Sequence, residues 1–344
     1  DLPDALESGR RGAMLELEEF RAQALAQLID PIFTTREGEG RQAAERTVRL
    51  DAVEADLRAS RSIVVVGEPG AGKSSALAQI AVTLLRQPGL VPIVRSLPSL
   101  AQHKTPIVSQ VCGKGSFADF SEAHFAALAR SAQIILLFDG WNELNPEQRL
   151  WAWSELEALR RDHPALLLVI ATRAGTASPF SQATSLEIHL FDRNRQLKAA
   201  ARLLGPLGHD IVIRARAIPA LRPLLRTPLF LSAILQQGAS GNLPTDRETA
   251  IAGLVASAGG TPARREQLRL ALDGQHGIFL QVIADQLMTA GTTFTPEAAL
   301  LPVIGAVAGD LKASQLLVQP ISAQGVLDLL ISHHVLVGTG APGE

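Results

Sequence analysis

The chain has 344 residues, of which 47% are hydrophobic and 19% charged, and its formal net charge is -2. This length exceeds the usual size of one hydrophobic core, so we expect two or more packed units. The balanced charge does not favour nucleic acid as a partner. The single Cys112 excludes an intrachain disulfide, and no apolar run reaches the ~18 residues that span a bilayer. These two observations predict a cytoplasmic protein.

The N-terminal segment, residues 1–42, is predicted to be a helical linker. Apolar residues recur near helical spacing from Ala13 to Ile29, which indicates an amphipathic helix. We expect this helix to pack on the next unit or to join a further domain. Because the sequence begins at Asp1 rather than at methionine, we also expect it to be part of a longer chain.

Residues 43–191 alternate apolar, strand-like runs with helical stretches. The runs read SIVVV, VPIVRSL, IILLFD, LLLVIAT and LEIHLF, and they begin at residues 62, 91, 134, 166 and 186. This alternation is typical of a parallel sheet with helices on both faces. We therefore predict an α/β domain over this range.

The strand-like runs end after Asp192. Helical segments rich in Leu, Ala and Arg predict a helical domain over residues 192–258. A Gly-Gly-Thr-Pro stretch then reads as a linker, and residues 259–344 form a third predicted domain. Its closing run, VLDLLISHHVLVGTG from Val326, indicates a helix, a turn and a strand. We expect this last domain to be incomplete.

The sequence VVVGEPGAGKSS, residues 64–75, matches the pattern of a phosphate-binding loop. It follows a strand-like run and precedes a helical stretch, as this motif requires, although a glycine-rich turn is the alternative. The glycines let the backbone wrap a phosphate, whose oxygens then face the loop amides and the helix N-terminus. We expect Lys73 to bridge the β- and γ-phosphates, the Ser74 hydroxyl to ligate Mg²⁺, and Ser75 to reach the α-phosphate. The nucleotide-binding residues predicted here are Gly67, Glu68, Pro69, Gly70, Ala71, Gly72, Lys73, Ser74 and Ser75.

A second motif, FDGWNEL, follows four apolar residues and begins at Phe138. Its Asp139 ends a strand-like run, where a carboxylate would hold magnesium directly or through water. The alternative is an aspartate that caps the following turn. Because an amide cannot accept a proton at neutral pH and a carboxylate can, Glu143 rather than Asn142 is the candidate general base.

This second motif resembles the Walker B segment of the NACHT class of STAND NTPases. In that class a magnesium-binding Asp is followed by a tiny residue, a bulky residue and an acidic pair. The matching residues are Asp139, Gly140, Trp141 and Glu143. Asn142 departs from the pattern. The resemblance further implies that Arg173, in VIATRAG at the end of the next strand, senses the γ-phosphate, whereas a strand-capping arginine is the alternative.

The resemblance extends to both sides of this region. LLRTPLFLSAIL resembles a proline motif in which the proline packs on the adenine, and Pro228 is the matching residue; a proline that only starts a helix is the alternative. Thr47 and Val48 lie where related NTPases pass their backbone over the adenine edge, although a loop followed by an ordinary helix explains that stretch equally well. The closing LLISHHVLV resembles the start of a winged-helix domain.

The resemblance implies an ATP- and ADP-binding signalling switch that uses Mg²⁺ and hydrolyses ATP slowly. It implies self-association on activation, effector and sensor domains that are fused or associated, and a role in immune or antiphage defence. A turnover ATPase of the AAA type, remodelling protein or nucleic acid, and a binding module with a vestigial ATPase remain as alternatives. The implied catalytic residues are Lys73, Asp139, Glu143 and Arg173, and the implied magnesium ligands are Ser74 and Asp139.

Overall fold

The computed structural model describes residues 2–23, 31–37, 44–176, 178–180, 183–257, 268–290, 297–318 and 321–332. The chain divides into two compact units, residues 1–247 and 248–344. All described strands and the phosphate-binding loop belong to the first unit.

A sheet of seven described strands forms the centre of the first unit, in the order β2-β1-β7-β3-β6-β5-β4. The strands are β1 (Ile32–Glu37), β2 (Ala44–Arg49), β3 (Ser62–Val66), β4 (Val91–Ser96), β5 (Ile134–Asp139), β6 (Leu167–Thr172) and β7 (Thr184–Ile188). The five strands from β3 to β7 are parallel. They correspond to the five apolar runs of the sequence, so the predicted parallel α/β sheet is confirmed.

The antiparallel pair β1 and β2 was not predicted as strands. The sequence indicated a helical linker and then a loop, but Phe33 of β1 pairs with Val48 of β2 on one side and with Ile188 of β7 on the other. Both Phe33 and Val48 are fully buried. Neither strand has a long apolar run, and the strand conformation therefore depends on partners distant in the sequence, a tertiary override of local preference.

Helices cover both faces of the sheet, as predicted. They are α1 (Leu2–Gln23), α2 (Val53–Ser60), α3 (Lys73–Leu85), α4 (Leu97–His103), α5 (Ile107–Val111), α6 (Glu122–Arg130) and α7 (Pro146–Asp162). Successive strand residues alternate between the two cores: Val64 and Leu136 pack in one, Val65 and Leu137 in the other. This alternation is the period of two that a pleated strand imposes.

Helix α1 begins at Leu2 rather than at Ala13 and packs within the first unit, against α3, β4 and α6. The Arg10 guanidinium donates to the carbonyls of Leu85, Gln87 and Leu90 at 2.7–2.9 Å, at and just beyond the end of α3. These bonds satisfy carbonyls that a helix end leaves without intrahelical partners. Glycine and charged residues weaken the helical pattern of α1 in the sequence, and close packing explains two of those glycines.

The close approach of α1 at Gly12 gives a stability prediction. A Cβ atom there would lie 2.7 Å from the Ser116 carbonyl oxygen and 2.6 Å from Phe117 Cδ1. Because backbone must then move, we expect Gly12→Ala to destabilise the protein by about 1–3 kcal/mol, although alanine favours helices. Thermal unfolding followed by circular dichroism measures this change. Met14→Ala, at an exposed position of α1, is the control, and an equal Tm for the two variants would contradict the packing.

A helical segment follows β7, as predicted after Asp192. Helix α8 (Arg193–Ala217) begins with Asp192 as its N-cap and bends sharply at Gly205, and α9 (Pro228–Ala239) begins at the proline singled out in the sequence.

The described part of the second unit is helical. Its helices are α10 (Arg247–Ser257), which begins at the boundary, α11 (His276–Ala290), α12 (Glu297–Ala313) and α13 (Ala323–Ser332). Buried residues including Phe279, Ile304 and Leu330 form its core. The predicted closing strand falls on residues 333–344, outside the described residues. Within the described residues, no helix is both long enough and apolar enough to cross a membrane.

Candidate functional site

The phosphate-binding loop connects β3 to α3 at the carboxyl edge of the sheet. Gly70 and Gly72 have φ angles of 74° and 89°, in the left-handed region that glycine adopts without strain. Helix α3 starts immediately afterwards, at Lys73. Loop amides and the helix N-terminus together form the kind of concave, positive site that binds phosphate. The strand, loop and helix predicted around the motif are all present.

Lys73 is the central cation of this site. Its Nζ donates to the carbonyl oxygens of Gly67 and Glu68 at 3.1 and 3.3 Å. Burial lowers the pKa of Lys73, the Arg173 guanidinium lowers it further, and the Asp139 and Glu143 carboxylates act in the opposite direction. These mutual effects mean that the fold brings the four predicted catalytic residues into one electrostatic environment.

Asp139 lies at the end of β5 and begins a tight turn. Its Oδ1 accepts a hydrogen bond from the Gly140 amide at 2.9 Å, so the turn-capping interpretation holds for one oxygen. The other oxygen has no hydrogen-bond partner among the described residues. Gly140 has a φ of 84°, and a Cβ there would lie 2.8 Å from Pro98 Cδ and 3.2 Å from Glu143 Oε2. The left-handed φ and the contact with the Pro98 ring therefore favour glycine at the start of this turn.

Asn142 and Glu143 differ in exposure although they are neighbours in this turn. Asn142 is only 2% exposed, whereas Glu143 is half-buried. A carboxylate at position 142 would lose most of its hydration, at a cost that a neutral amide avoids. The departure from an acidic pair thus has a local physical reason, and Glu143 is the member of the 142–143 pair that solvent can reach.

The end of β6 lies directly beside the phosphate-binding loop. The Gly67 amide donates to the Thr172 carbonyl at 3.3 Å. Burial lowers the pKa of the adjacent Arg173, and the Glu143 carboxylate acts in the opposite direction. Both Thr172 Oγ1 and Arg173 Nε are buried without a hydrogen-bond partner among the described residues. Because buried polar atoms are normally paired, these two are available to a ligand. Thr172 was not predicted as a site residue; its place at the strand end, beside a candidate sensor, is the signal that points to it.

The first turn of α9 contacts the phosphate-binding loop. The Leu229 amide donates to the Gly70 carbonyl at 3.3 Å. A Cβ on Gly72 would lie 3.6 Å from Pro228 Cγ, and one on Gly70 would lie 2.9 Å from Leu229 Cβ. The residue predicted to pack on adenine therefore lies against the phosphate-binding loop. Its contact with the base stays a prediction.

Thr47 and Val48 lie on β2, an edge strand of the sheet. Two strands, β1 and β7, separate β2 from β3, which places β2 about 14 Å from the strand that leads into the loop. The Val48 side chain is fully buried in the core, and Thr47 is exposed. Recognition of a base by main-chain groups here stays a prediction.

Comparisons with known proteins found only distant structural similarities. No protein-family model and no curated protein matches the chain. Similar solved structures include ORC1 of Aeropyrum pernix in complex with DNA, with 14% identity, 82% of each chain covered and a TM-score of 0.41. A RuvB variant of Thermotoga maritima shows 17% identity over 80% of this chain and 84% of its own, with a TM-score of 0.36. A STAND protein of Pyrococcus horikoshii with a tetratricopeptide repeat sensor shows 14% identity over 59% of this chain and 32% of its own, also with a TM-score of 0.36. The chain's own strand order and phosphate-binding loop make its fold that of a P-loop NTPase.

Proposed function

We propose that the chain is an ATP- and ADP-binding switch of the STAND type, with a NACHT-like nucleotide-binding domain and slow ATP hydrolysis. The observation that carries the proposal is the contact between the first turn of α9 and the loop that holds Lys73. A nucleotide bound at this loop would meet the start of α9. Its binding free energy would then depend on how the helical segment is arranged, which is what a ligand-operated switch requires.

Phosphate binding is assigned to the loop and to Lys73. The Lys73 ammonium now donates to two loop carbonyls, and phosphate oxygens would provide charged acceptors that make stronger hydrogen bonds. Arg173 and Thr172 would supply further donors at the γ-phosphate. These roles suit two atoms, Arg173 Nε and Thr172 Oγ1, that are buried without partners among the described residues.

Mg²⁺ would be held by Ser74 and Asp139. The Ser74 residue is exposed at the start of α3, and Asp139 keeps one oxygen that no described residue bonds. Two protein oxygens suit Mg²⁺, because this ion usually completes its shell with phosphate oxygens and water. When bound, the ion would neutralise phosphate charge.

Hydrolysis is assigned to Glu143 as general base, which would orient a water molecule and accept its proton. Asn142 is buried and neutral and Asp139 is assigned to Mg²⁺, so Glu143 is the carboxylate of this turn that is left for this role. The site has one candidate base, and the start of α9 lies against the loop. This combination favours retention of the nucleotide over rapid hydrolysis.

The proposed switch includes domains and partners by resemblance to the STAND class. We assign the N-terminal helix α1 and the sheet from β1 to β7, which ends before residue 192, to the nucleotide-binding domain, residues 192–258 to a helical domain and 259–344 to a winged-helix-like domain. In the cytoplasm, exchange of ADP for ATP would permit self-association and would activate a fused or associated effector in immune or antiphage defence.

Sedimentation velocity tests the proposed switch. We expect a monomer with ADP and a larger species with a non-hydrolysable ATP analogue, because only the second nucleotide carries the γ-phosphate that Arg173 and Thr172 are proposed to bind. Identical sedimentation in both nucleotides would contradict the proposal. The alternative, a turnover ATPase of the AAA type, predicts steady hydrolysis on the order of 1–10 s⁻¹, whereas the switch predicts a rate far below this range.

Pro228 provides a second test, directed at the α9 contact. Pro228→Gly removes ring carbons that lie against the loop, and at about 0.8 kcal/mol per buried CH₂ we expect ADP release to accelerate by roughly tenfold. Stopped-flow release of a fluorescent ADP analogue measures the rate. Pro219→Gly, at an exposed position outside this contact, is the matched control. Release at the wild-type rate would leave Pro228 as a residue that only starts α9.

A further inference from the structure

A polar pocket lies in the helical segment of the first unit, apart from the phosphate-binding loop. It has a volume of about 360 Å³, and its polar lining consists of Arg193, Arg216, Arg222, Arg226, Asp192 and Gln196. We call it the arginine pocket. None of its lining residues belongs to the set assigned to the nucleotide.

The bend in α8 assembles the arginine pocket. At Gly205 the backbone takes φ 60° and ψ -140°, and the helix reverses enough for its two ends to meet. Arg216 Nη1, near the C-terminal end, then donates to Gln196 Oε1, near the N-terminal end, at 2.7 Å. The short helical turn before α9 closes the pocket, where the Phe191 amide donates to the Arg226 carbonyl at 2.7 Å.

Two of the four arginines are held in place by neutral partners. Gln196 is 1% exposed, and its amide group donates to the Phe191 carbonyl at 3.0 Å while its oxygen accepts from Arg216. Arg222 Nε donates to the Arg216 carbonyl at 2.8 Å. These bonds orient two guanidinium groups without neutralising their charge, which is how a site for an anion is prepared before the ligand arrives.

The arginine pocket carries uncompensated positive charge. Across the described part of the chain, none of its four guanidinium groups lies within 4 Å of a carboxylate, and the Arg193 and Arg226 side chains make no hydrogen bond. Asp192 is the acidic residue of the lining, and its Oδ1 accepts the Arg195 amide at the start of α8 at 2.8 Å. The lining thus has a formal excess of three positive charges, which an anion would offset.

We infer that the arginine pocket binds a small molecule with two or more adjacent phosphate groups, at a site separate from the phosphate-binding loop. Guanidinium forks match phosphate oxygens in pairs, and four of them exceed what a single phosphate needs. The volume suits a compact ligand such as a nucleotide or a short inorganic polyphosphate. This inference does not depend on the function proposed for the loop.

The test uses calorimetric titration of the whole chain with inorganic tripolyphosphate, in a Lys73→Ala background that weakens the loop site. Adding Arg193→Gln and Arg226→Gln together should weaken tripolyphosphate binding by about 10- to 100-fold, since both changes remove charged donors. Neither side chain has a hydrogen bond or ion pair to lose among the described residues, so folding should be unaffected. The control pair is Arg202→Gln with Arg214→Gln, which removes the same charge from exposed positions on α8 outside the pocket.

Three results would overturn the inference. The first is that tripolyphosphate does not bind the Lys73→Ala protein, and the second is that the pocket pair and the control pair weaken its binding equally. The third is that a hexaglutamate peptide binds as tightly as tripolyphosphate. A parallel titration with ADP separates the two sources of phosphate, because a nucleotide ligand would show the same loss in the pocket pair. Failure of the loop assignment would look different: ADP affinity would be unchanged by Lys73→Ala and by the pocket pair.

Discussion

Glu143→Gln is expected to lower single-turnover ATP hydrolysis by about 10²- to 10⁴-fold, the usual contribution of general acid–base catalysis. Glutamine keeps the size and hydrogen-bonding capacity of the side chain but cannot accept the proton of the attacking water. ATP affinity should be nearly unchanged, because the substitution leaves Lys73 and the loop amides in place. Rapid-quench measurement with radiolabelled ATP and excess protein gives the rate of the chemical step.

Asn142→Ala is the control for this prediction, since it changes the neighbouring position of the same turn. We expect a smaller effect on the rate, because Asn142 is buried and is not the proton acceptor. Its removal leaves a small cavity, so the Tm of both variants should be measured before the rates are compared. Hydrolysis by Glu143→Gln at the wild-type rate would place the general base elsewhere.

Lys73→Ala is expected to weaken ADP and ATP binding by at least about 10- to 100-fold, because it removes a charge-assisted donor to the phosphates. Isothermal titration calorimetry with each nucleotide measures the change. Lys198→Ala, which removes the same charge from an exposed position on α8, should bind both nucleotides as the wild type does. Unchanged affinity in Lys73→Ala would refute the assignment of the loop.

The pH dependence of nucleotide affinity gives an independent measurement of Lys73. In the free protein, burial lowers the pKa of Lys73 below its ordinary value of 10.5. Bound phosphate would raise this pKa. Affinity contributed by the charged form is therefore complete below the lowered pKa of the free protein, and it is lost as the pH rises from that pKa to the higher pKa of the complex. We expect the decline to begin at a lower pH than an ordinary lysine would give, and to be absent in Lys73→Ala.

Features encoded in contiguous stretches were predicted from the sequence alone. The loop from Gly67 to Ser75 is recognisable because its glycines, lysine and flanking strand and helix lie within a few residues of one another. The five parallel strands are recognisable for a similar reason, since strands buried on both faces appear as uninterrupted apolar runs. The start of α9 at Pro228 follows from the same local logic, because proline suits the first turn of a helix.

Features that depend on distant partners were decided only by the tertiary structure. Strand β1 exists because Phe33 meets Val48 and Ile188, and its own sequence lacks a strong strand pattern. Asn142 is buried whereas Glu143 is half-buried, although the two are adjacent polar residues of one turn. The contact of Leu229 with Gly70 joins residues far apart in the chain.

The arginine pocket shows the same distinction within one helix. Its arginines are scattered along residues 193–226, and in the sequence they resemble an ordinary solvated helix surface. They converge because α8 bends at Gly205 and the buried Gln196 holds Arg216. Periodicity and motifs predict only features formed by residues close in the sequence. Burial, charge compensation and the convergence of side chains depend on packing between distant segments. For this protein, the sequence therefore determined the loop and the parallel sheet, and the packing of distant segments decided which polar groups surround them.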